Sequence, residues 1–396
     1  MIHHIFKMAW RRKKANALIL LELLAAFLVL VAVSSILLHN WALYKTPLGF
    51  NYENTWSVQF YPAQDWEEST RLRGVNILNM LSQMDEIEGA YTLTFSPFIG
   101  YNWNDYVTYN GKKVIADQNG SSDGAQQGLG VTLLQGRWFG PEDDGQNYRA
   151  VVINRRLKEA LFGDENPIGK HLEAPNKGES DTLTRRVVGV FEDYRHKGDF
   201  SVPGHLMFLR YDINNKKAWF NAYALVMKPG VPAAFEEKLL NQLNAAAPDW
   251  DFDVQTWSQL RRLHINEKMK SIVLVAIVGG FLMLMVCFGL FGVLWQNVTR
   301  RTSEIGLRRA LGATGSSVQD MIILELVAFA ILAVIVGTIL LAQVPLLGVF
   351  EIFDWGMFFK SVLLSAVLIC SLTALCALYP GWMAAKYDPA EALHFE

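Results

Sequence analysis

Cysteine is scarce in this chain of 396 residues, which contains only Cys287, Cys370 and Cys376. All three lie in long apolar runs, so residues 39–270, between the first two of these runs, contain none. A disulfide framework is therefore excluded from that segment, together with cysteine-based zinc and redox sites. The segment is nevertheless long enough to bury a hydrophobic core without covalent cross-links.

Recognisable catalytic motifs are also few. The chain has no H-E-x-x-H sequence, and its eight histidines are scattered. The run GDENPIGKH resembles a phosphate-binding loop, but five residues separate Gly163 from Gly169 where four are needed, and His171 replaces the hydroxyl residue that holds magnesium. Two pairs of adjacent carboxylates occur in turn-like sequence and are best interpreted as solvated: Asp143 with Asp144, and Glu192 with Asp193. We therefore expect no enzymatic activity, cofactor or metal on this chain.

Charge is sparse and balanced. Charged residues make up 19% of the chain, hydrophobic residues 51%, and the formal net charge of -2 gives no reason to expect a nucleic-acid partner. Residues 17–38, 271–299, 321–344 and 361–385 form four apolar stretches in which Glu22 and Glu325 are the only charges. Each stretch reaches the length of about 20 residues that a membrane-spanning helix needs. We predict a membrane protein with four transmembrane helices.

The distribution of basic residues predicts the orientation of these helices. Five lysines and arginines precede the first span, and four arginines lie between the second and third, whereas the link between the third and fourth holds only Lys360. Because basic residues favour the cytoplasmic side, we expect both termini in the cytoplasm and residues 39–265 on the opposite side of the membrane. The apolar positions within residues 1–16 predict an amphipathic helix on the inner membrane surface. A disordered basic leader is the alternative for those residues, and a cleaved signal peptide is the alternative for the first span.

Residues 39–265 mix strand and helix patterns, which predicts an α+β domain, in two lobes, inserted between the first two spans. Strand patterns occur at 55–61, 91–98, 149–154, 185–194 and 251–257, and helix patterns at 65–84, 155–163 and 231–248. The run DQNGSSDGAQQG is typical of a mobile loop. From Ser258 onward, helical sequence continues into the second span, which predicts a stiff stalk. The full division is 1–16, 17–38 (span one), 39–265 (domain), 266–298 (stalk and span two), 299–320, 321–344 (span three), 345–360 (loop), 361–385 (span four) and 386–396.

The run RRTSEIGLRRALGATGSSVQD, residues 300–320, combines four arginines with one glutamate between two apolar spans. Glu304 precedes Arg308 by four residues, the favourable order for a helical ion pair. Leu307, Ala310 and Leu311 form a small apolar stripe, and Gly312 is a natural helix stop. A capping box of Ser316 and Gln319 is predicted to begin the third span. The apolar stripe needs a cover, either the membrane surface or a soluble partner.

Three motifs resemble one family. The run RRTSEIGLRRALGATGSSVQDMIILE is similar to the signature of MacB/FtsX-like ABC transporter permeases, and YPGWMAAKYDPAEALHFE is similar to their C-terminus. The runs GRWFGPEDDGQNYRAVVINRRLKEALFGDENPIGKHL and RRVVGVFEDYRHKG resemble the core of the MacB-type periplasmic domain. His394 departs from the pattern, since arginine is common there. The order of the three motifs makes the resemblance specific and extends it over nearly the whole chain.

The resemblance implies a type VII ABC system. Two permease chains, identical or paralogous, pair in the bacterial inner membrane with their large domains in the periplasm, and each contacts a separate ATPase subunit that binds ATP and magnesium. The segment 301–313 would be the helix that couples the permease to the ATPase, through Arg301, Glu304, Ile305, Gly306, Arg308, Arg309, Ala310, Gly312 and Ala313. The spans would transmit movement rather than form a channel.

Small residues in the second span predict where the two permeases meet. Ala276 and Gly280 lie four residues apart, with Gly289 and Gly292 further along, and such residues let helices approach closely. Glu22 and Glu325 lie near the cytoplasmic ends of their spans, where a structural role near Arg308 or Arg309 is favoured over a role in an ion relay.

Two functions fit the family resemblance. The first is export of peptides, toxins, antibiotics or lipoproteins, with a periplasmic adaptor and an outer-membrane duct as further partners. The alternative is FtsX-like control of cell-wall hydrolases. The resemblance of the large inserted domain to MacB favours export.

Overall fold

The computed structural model describes residues 13–63, 65–99, 103–173, 184–211, 220–348 and 354–386. The chain divides into two compact units. We call Met1–Ala42 with Met269–Glu396 the helical unit, and Leu43–Lys268 the inserted domain. Most of the predicted N-terminal amphipathic helix and nearly all of the C-terminal segment lie outside the described residues.

The helices and strands are numbered in chain order within the described residues. The helices are α1 (Lys13–Lys45), α2 (Glu68–Ser82), α3 (Ala125–Leu129), α4 (Arg155–Phe162), α5 (Phe235–Ala246), α6 (Trp257–Thr299), α7 (Thr302–Ala310), α8 (Gly315–Leu341), α9 (Gln343–Leu347) and α10 (Trp355–Lys386). The strands are β1 (Thr55–Pro62), β2 (Ile87–Leu93), β3 (Trp103–Tyr109), β4 (Lys112–Ser121), β5 (Leu133–Gly136), β6 (Tyr148–Asn154), β7 (His171–Leu172), β8 (Thr184–Phe191), β9 (Leu206–Arg210), β10 (Ala222–Met227) and β11 (Trp250–Thr256).

Four helical segments are long and apolar enough to cross a membrane. They are Ala17–Lys45, Trp257–Gln296, Gly315–Leu347 and Trp355–Lys386, which confirms the four predicted spans. The helix predicted from Ser258 onward is observed as the uninterrupted α6. The predicted loop at 345–360 is shorter than expected, because α9 extends to Leu347 and α10 already begins at Trp355.

Small side chains hold the helical unit together. Seven of the fifteen buried residues of α8 and α10 are alanine, serine or threonine: Ala330, Ala333, Ser361, Ser365, Thr373, Ala377 and Ala384. Such residues allow helix backbones to approach closely, which favours helix association in a membrane. Gly337 of α8 plays the same part towards α1, since a Cβ added there would lie 2.5 Å from the ring of Phe27.

One mixed sheet forms the inserted domain. Its strand order is β11-β1-β10-β2-β4-β9-β6-β8-β5, with β3 paired to β4 and β7 paired to β8. The half from β11 to β2 is entirely antiparallel, whereas the other half contains the parallel pairs β4–β9 and β6–β8. The two halves join through a single registered pair, Leu93 with Ser121. The predicted α+β class is therefore confirmed, and the sheet has a narrow junction at its centre.

The predicted mobile loop DQNGSSDGAQQG is wrong. Its first half belongs to β4 and its second half contains α3, and both Ala125 and Leu129 are fully buried. Asparagine, aspartate and serine suggested a turn because their side chains compete for the hydrogen bonds of regular backbone structure. Here tertiary contacts satisfy them, since the Asn119 amide donates to the Phe95 carbonyl at 2.8 Å and its oxygen accepts from the Phe95 N–H at 3.1 Å.

Candidate functional site

The short helix α7, between two predicted spans, has a defined end. Gly312 follows it with a φ of +96°, and the N–H groups of Gly312 and Ala313 donate to the carbonyls of Arg309 and Arg308, both at 3.1 Å. This is the Schellman arrangement, which glycine favours because a positive φ strains other residues. The helix therefore ends where the sequence predicts.

The predicted capping box at the start of α8 is wrong. The cap is Thr314, whose hydroxyl accepts from the Ser317 N–H at 3.3 Å, and its backbone is extended as a cap requires. Ser316 and Gln319 lie within the helix instead. The turn between α7 and α8 is thus only a few residues long, which makes the two helices a tight hairpin.

Two ion pairs stabilise α7. One joins its beginning to α8, and the other lies within the helix. Arg301 donates two parallel hydrogen bonds to Glu325, with N–O distances of 2.6 and 2.9 Å, and both side chains are nearly buried. These bonds raise the pKa of Arg301. Arg308 lies 3.0 Å from Glu304, which confirms the predicted pair four residues apart. A small cavity of about 20 Å³ beside Arg301 and Glu325 has room for about one water molecule.

Glu325 was expected to lie near Arg308 or Arg309, but it pairs with Arg301 instead. The hairpin explains this outcome. Residues equally distant from the turn face each other, so the beginning of α7 lies beside a position well inside α8. Arg308, close to the turn, contacts Met321 instead.

The two faces of α7 differ in exposure. Ile305 is 2% exposed and packs with the helical unit, and Gly306 is buried beside it. Leu307 and Leu311 are 53% and 80% exposed. Ala310 is exposed as well, and Arg308 and Arg309 are partly exposed. We call Leu307, Arg308, Arg309, Ala310 and Leu311 the α7 surface. Of the predicted coupling residues, Ile305 and Gly306 hold the helix in place and do not contribute to this surface.

The four residues predicted to line a permease dimer do not share one environment. Ala276, Gly280 and Gly292 of α6 are exposed, and a Cβ added at either glycine would meet nothing within 4 Å. A Cβ at Gly289 would instead lie 1.9 Å from a carboxylate oxygen of Glu22. Gly289 therefore makes room for the Glu22 side chain within the same chain.

The adjacent carboxylates are structural. Asp143 accepts two bonds from Arg137 at 2.7 Å, which raise the pKa of Arg137. Asp144 lies 2.7 Å from Arg210, and Asp193 lies between 3.1 and 3.2 Å from two arginines of α4. Each of these three carboxylates is paired with at least one arginine. Among the described residues, no group of three or more potential metal ligands comes together.

The run GSSDG at residues 120–124 matches the G-x-S-x-G pattern of hydrolase nucleophiles and lies between a strand and a helix. In such an elbow the serine hydroxyl is exposed and held by a histidine. Ser122 is 5% exposed, and its hydroxyl accepts from the Thr92 N–H at 3.0 Å. This serine therefore joins β2 to the β4–α3 turn.

Comparison with protein families identifies the chain. The model of the MacB-like periplasmic core domain matches residues 20–242, and that of the FtsX-like permease C-terminal domain matches residues 276–389. The first match alone covers more than half of the 396 residues. The fold and these matches define a multi-pass inner-membrane permease component of an ABC transporter. The chain belongs to the MacB/FtsX-like permease family.

Individual relatives are distant. The macrolide export ATP-binding/permease protein MacB of Shigella boydii is 25% identical, and that of Escherichia coli K12 is 24% identical. Each alignment covers 98% of this chain and 60% of the relative, so the chain spans less than two thirds of these proteins. The crystal structure of the periplasmic region of MacB from Actinobacillus actinomycetemcomitans has 19% identity and a TM-score of 0.41, covering 57% of this chain and 98% of that one. The extracellular domain of the transporter YknZ from Gram-positive bacteria covers 50% of this chain and all of that one, with 15% identity and a TM-score of 0.35.

Proposed function

We propose that this chain is the non-catalytic permease subunit of an export machine, and that a separate ATPase subunit drives it from the cytoplasm. The observation that carries the proposal is the α7 surface, where Leu307 and Leu311 are exposed beside two arginines. Apolar side chains ringed by basic ones are typical of a protein interface rather than of a solvated turn. ATP and magnesium would bind to the ATPase, which is the partner that covers this surface.

The spans are suited to transmitting force. A hydrophilic path for cargo requires several polar residues inside the membrane, because each is costly and kept for use. The apolar stretches 17–38, 271–299, 321–344 and 361–385 carry two acidic residues, Glu22 and Glu325, and Glu325 is paired with Arg301 at the start of α7. An apolar groove of about 740 Å³ between α1, α6 and α10 has Glu22 as its single charged lining residue. These features support movement of helices over passage of a polar substrate between them.

The surroundings of the inserted domain would be the periplasm, with both termini in the cytoplasm, as the basic residues beside the spans indicate. The length of the match to the MacB-like core domain supports export over control of cell-wall hydrolases. Under this proposal, the inserted domain meets an adaptor and an outer-membrane duct, and its movement drives the cargo outward.

A second permease chain would pack on the exposed face of α6 at Ala276 and Gly280, with Gly292 further along. Replacing Gly280 with leucine is expected to weaken chain pairing by at least about ten-fold, since a bulky side chain separates closely packed helices. Folding of the single chain should be unchanged, because the Cβ position is open. Cross-linking between differently tagged chains in nanodiscs measures pairing. Val278→Leu, on the opposite side of the helix, is the control, and equal pairing in both variants would contradict this seam.

The proposed mechanism predicts nucleotide-driven movement of the inserted domain. Asp164, exposed after α4, can carry a spin label once the three native cysteines are replaced by alanine. In complexes with the ATPase, the distance between labels on the two permease chains should differ between nucleotide-free and ATP-trapped states. In a complex of two paralogues, both chains carry the label. Identical distance distributions in the two states, while ATP is hydrolysed, would contradict the mechanism.

A further inference from the structure

The segment between β8 and β9, residues 192–205, contacts both places where the chain passes between the inserted domain and a membrane-spanning helix. One connection follows α1, which ends at Lys45, and the other is the beginning of α6 at Trp257. The Arg195 N–H donates to the Leu48 carbonyl at 2.9 Å, and the ring of Tyr194 lies 4.7 Å from that of Phe50. Phe50 in turn contacts Trp257, which is fully buried. One short segment therefore touches the roots of two membrane-spanning helices.

Three charged residues form the centre of this arrangement, and we call Arg195, Asp199 and Arg261 the arginine–aspartate cluster. Asp199 is 1% exposed, and its carboxylate accepts hydrogen bonds from Nε and Nη2 of Arg261 at distances between 2.6 and 3.2 Å. Arg195 is 2% exposed and donates to the Thr46 carbonyl at 2.6 Å and to the Ser201 carbonyl at 2.9 Å. The two arginines thus tie opposite connections to the same loop.

Glycines permit this close approach on both sides of the cluster. Gly49, after α1, has a φ of +81°, and a Cβ there would lie 1.9 Å from the carbonyl oxygen of Asp193. Gly198, within the loop, has a φ of +92°, and a Cβ there would lie 2.7 Å from the His264 ring of α6. Any larger residue would be strained in conformation and would collide with its neighbour. The loop therefore packs directly against the beginning of α6.

The covalent connection alone gives α6 a poor path into the sheet. The chain before α6 is β11, the strand at the edge of the antiparallel half. Along the paired strands of the sheet, β8 and β9 are reached from there across the narrow junction of β2 with β4. The arginine–aspartate cluster bypasses this junction, because its loop connects β8 directly to β9.

We propose that the arginine–aspartate cluster couples rotation of α6 to the β8–β9 half of the sheet, so that Asp199 and Arg261 position this half during the transport cycle. The inference rests on the proposed function, since it requires movement of α6. A buried ion pair is weak grounds for stability by itself, because the cost of desolvation offsets much of the attraction. Its bidentate geometry instead specifies the angle between loop and helix.

The test uses the full chain with its ATPase and the label at Asp164, which lies in the β8–β9 half of the domain. In Asp199→Asn, the nucleotide-driven change in label distance is expected to become smaller. The population ratio of the conformations seen in the nucleotide-free and ATP-trapped states should change by about two- to thirty-fold. ATP hydrolysis should continue. Asp249→Asn is the control, because it makes the same chemical change at the exposed Arg73–Asp249 pair. Should Asp199→Asn fail to fold, Arg261→Lys keeps the charge but loses the paired bonds, and a partial loss of movement is expected.

The outcomes separate the two proposals. Absence of movement in the unaltered chain would refute the proposed function itself. Movement in the unaltered chain that persists fully in Asp199→Asn, or in Arg261→Lys where that is used, would refute the coupling role of the cluster alone. An equal loss in Asp249→Asn would also refute it, because the effect would then not be specific to the cluster.

Discussion

Replacing Leu311 with aspartate is expected to weaken binding of the ATPase subunit by at least about thirty-fold, the loss of a central interface residue. Leu311 is 80% exposed, so the change removes little packing within the chain. In the proposed complex the leucine is covered, and a carboxylate there would be buried without a partner. The affinity of the purified ATPase for the permease in nanodiscs measures the effect directly, and nucleotide-driven movement of the inserted domain should be lost with it.

The control for this prediction is Leu72→Asp on α2. Leu72 is also an exposed leucine on a helix, but it belongs to the inserted domain. Its replacement should leave ATPase binding unchanged. Leu307→Asp should weaken binding in the same direction as Leu311→Asp, because both residues belong to the α7 surface. Normal affinity for the ATPase in both α7 variants would show that the ATPase does not bind to the α7 surface.

Much of the helical unit could be predicted from the sequence because its signals are local. A run of about 20 apolar residues needs no tertiary knowledge to be interpreted as a span. The helix stop at Gly312 and the ion pair of Glu304 with Arg308 depend on spacings within a few residues. The apolar stripe on α7 follows from its helical spacing in the same way. The sequence does not show, however, which side of the helix is buried.

The features that were missed depend on contacts between distant residues. Gly289 looked like any small residue of a helix interface, but its neighbour Glu22 belongs to the first span. Glu325 pairs with Arg301 because α7 and α8 form a hairpin, and the spacing of residues in the sequence does not predict that hairpin. The DQNGSSDGAQQG run was misinterpreted because buried polar side chains find partners that a single sequence does not reveal.

The arginine–aspartate cluster had no local signal at all. Arg195 and Asp199 lie four residues apart, the first within the run RRVVGVFEDYRHKG that was interpreted through its family resemblance and the second just after that run. Their partners Thr46 and Arg261 are 149 and 62 positions away in the chain. Two glycines with positive φ, Gly49 and Gly198, were the nearest available hint, and their significance depends on which atoms approach them.

Replacing Glu325 with glutamine is expected to lower the free energy of unfolding of the helical unit by about 3–5 kcal/mol, the usual cost of breaking a buried ion pair from one side. The Arg301 guanidinium would lose its carboxylate while both side chains are only 12–13% exposed. The hairpin of α7 and α8 should loosen as a result, and the α7 surface with it. Denaturant unfolding of the purified chain in detergent measures the change.

The matched control is Glu304→Gln, which breaks the half-exposed pair with Arg308 and should cost no more than about 0.5 kcal/mol. Replacing both members of the buried pair, with Arg301→Met and Glu325→Leu, should recover most of the loss because no charge is then left without a partner. Equal effects of Glu325→Gln and Glu304→Gln would contradict a special role for the buried pair. A double variant as unstable as Glu325→Gln would instead mean that the charges fix the hairpin in a way that apolar packing cannot replace.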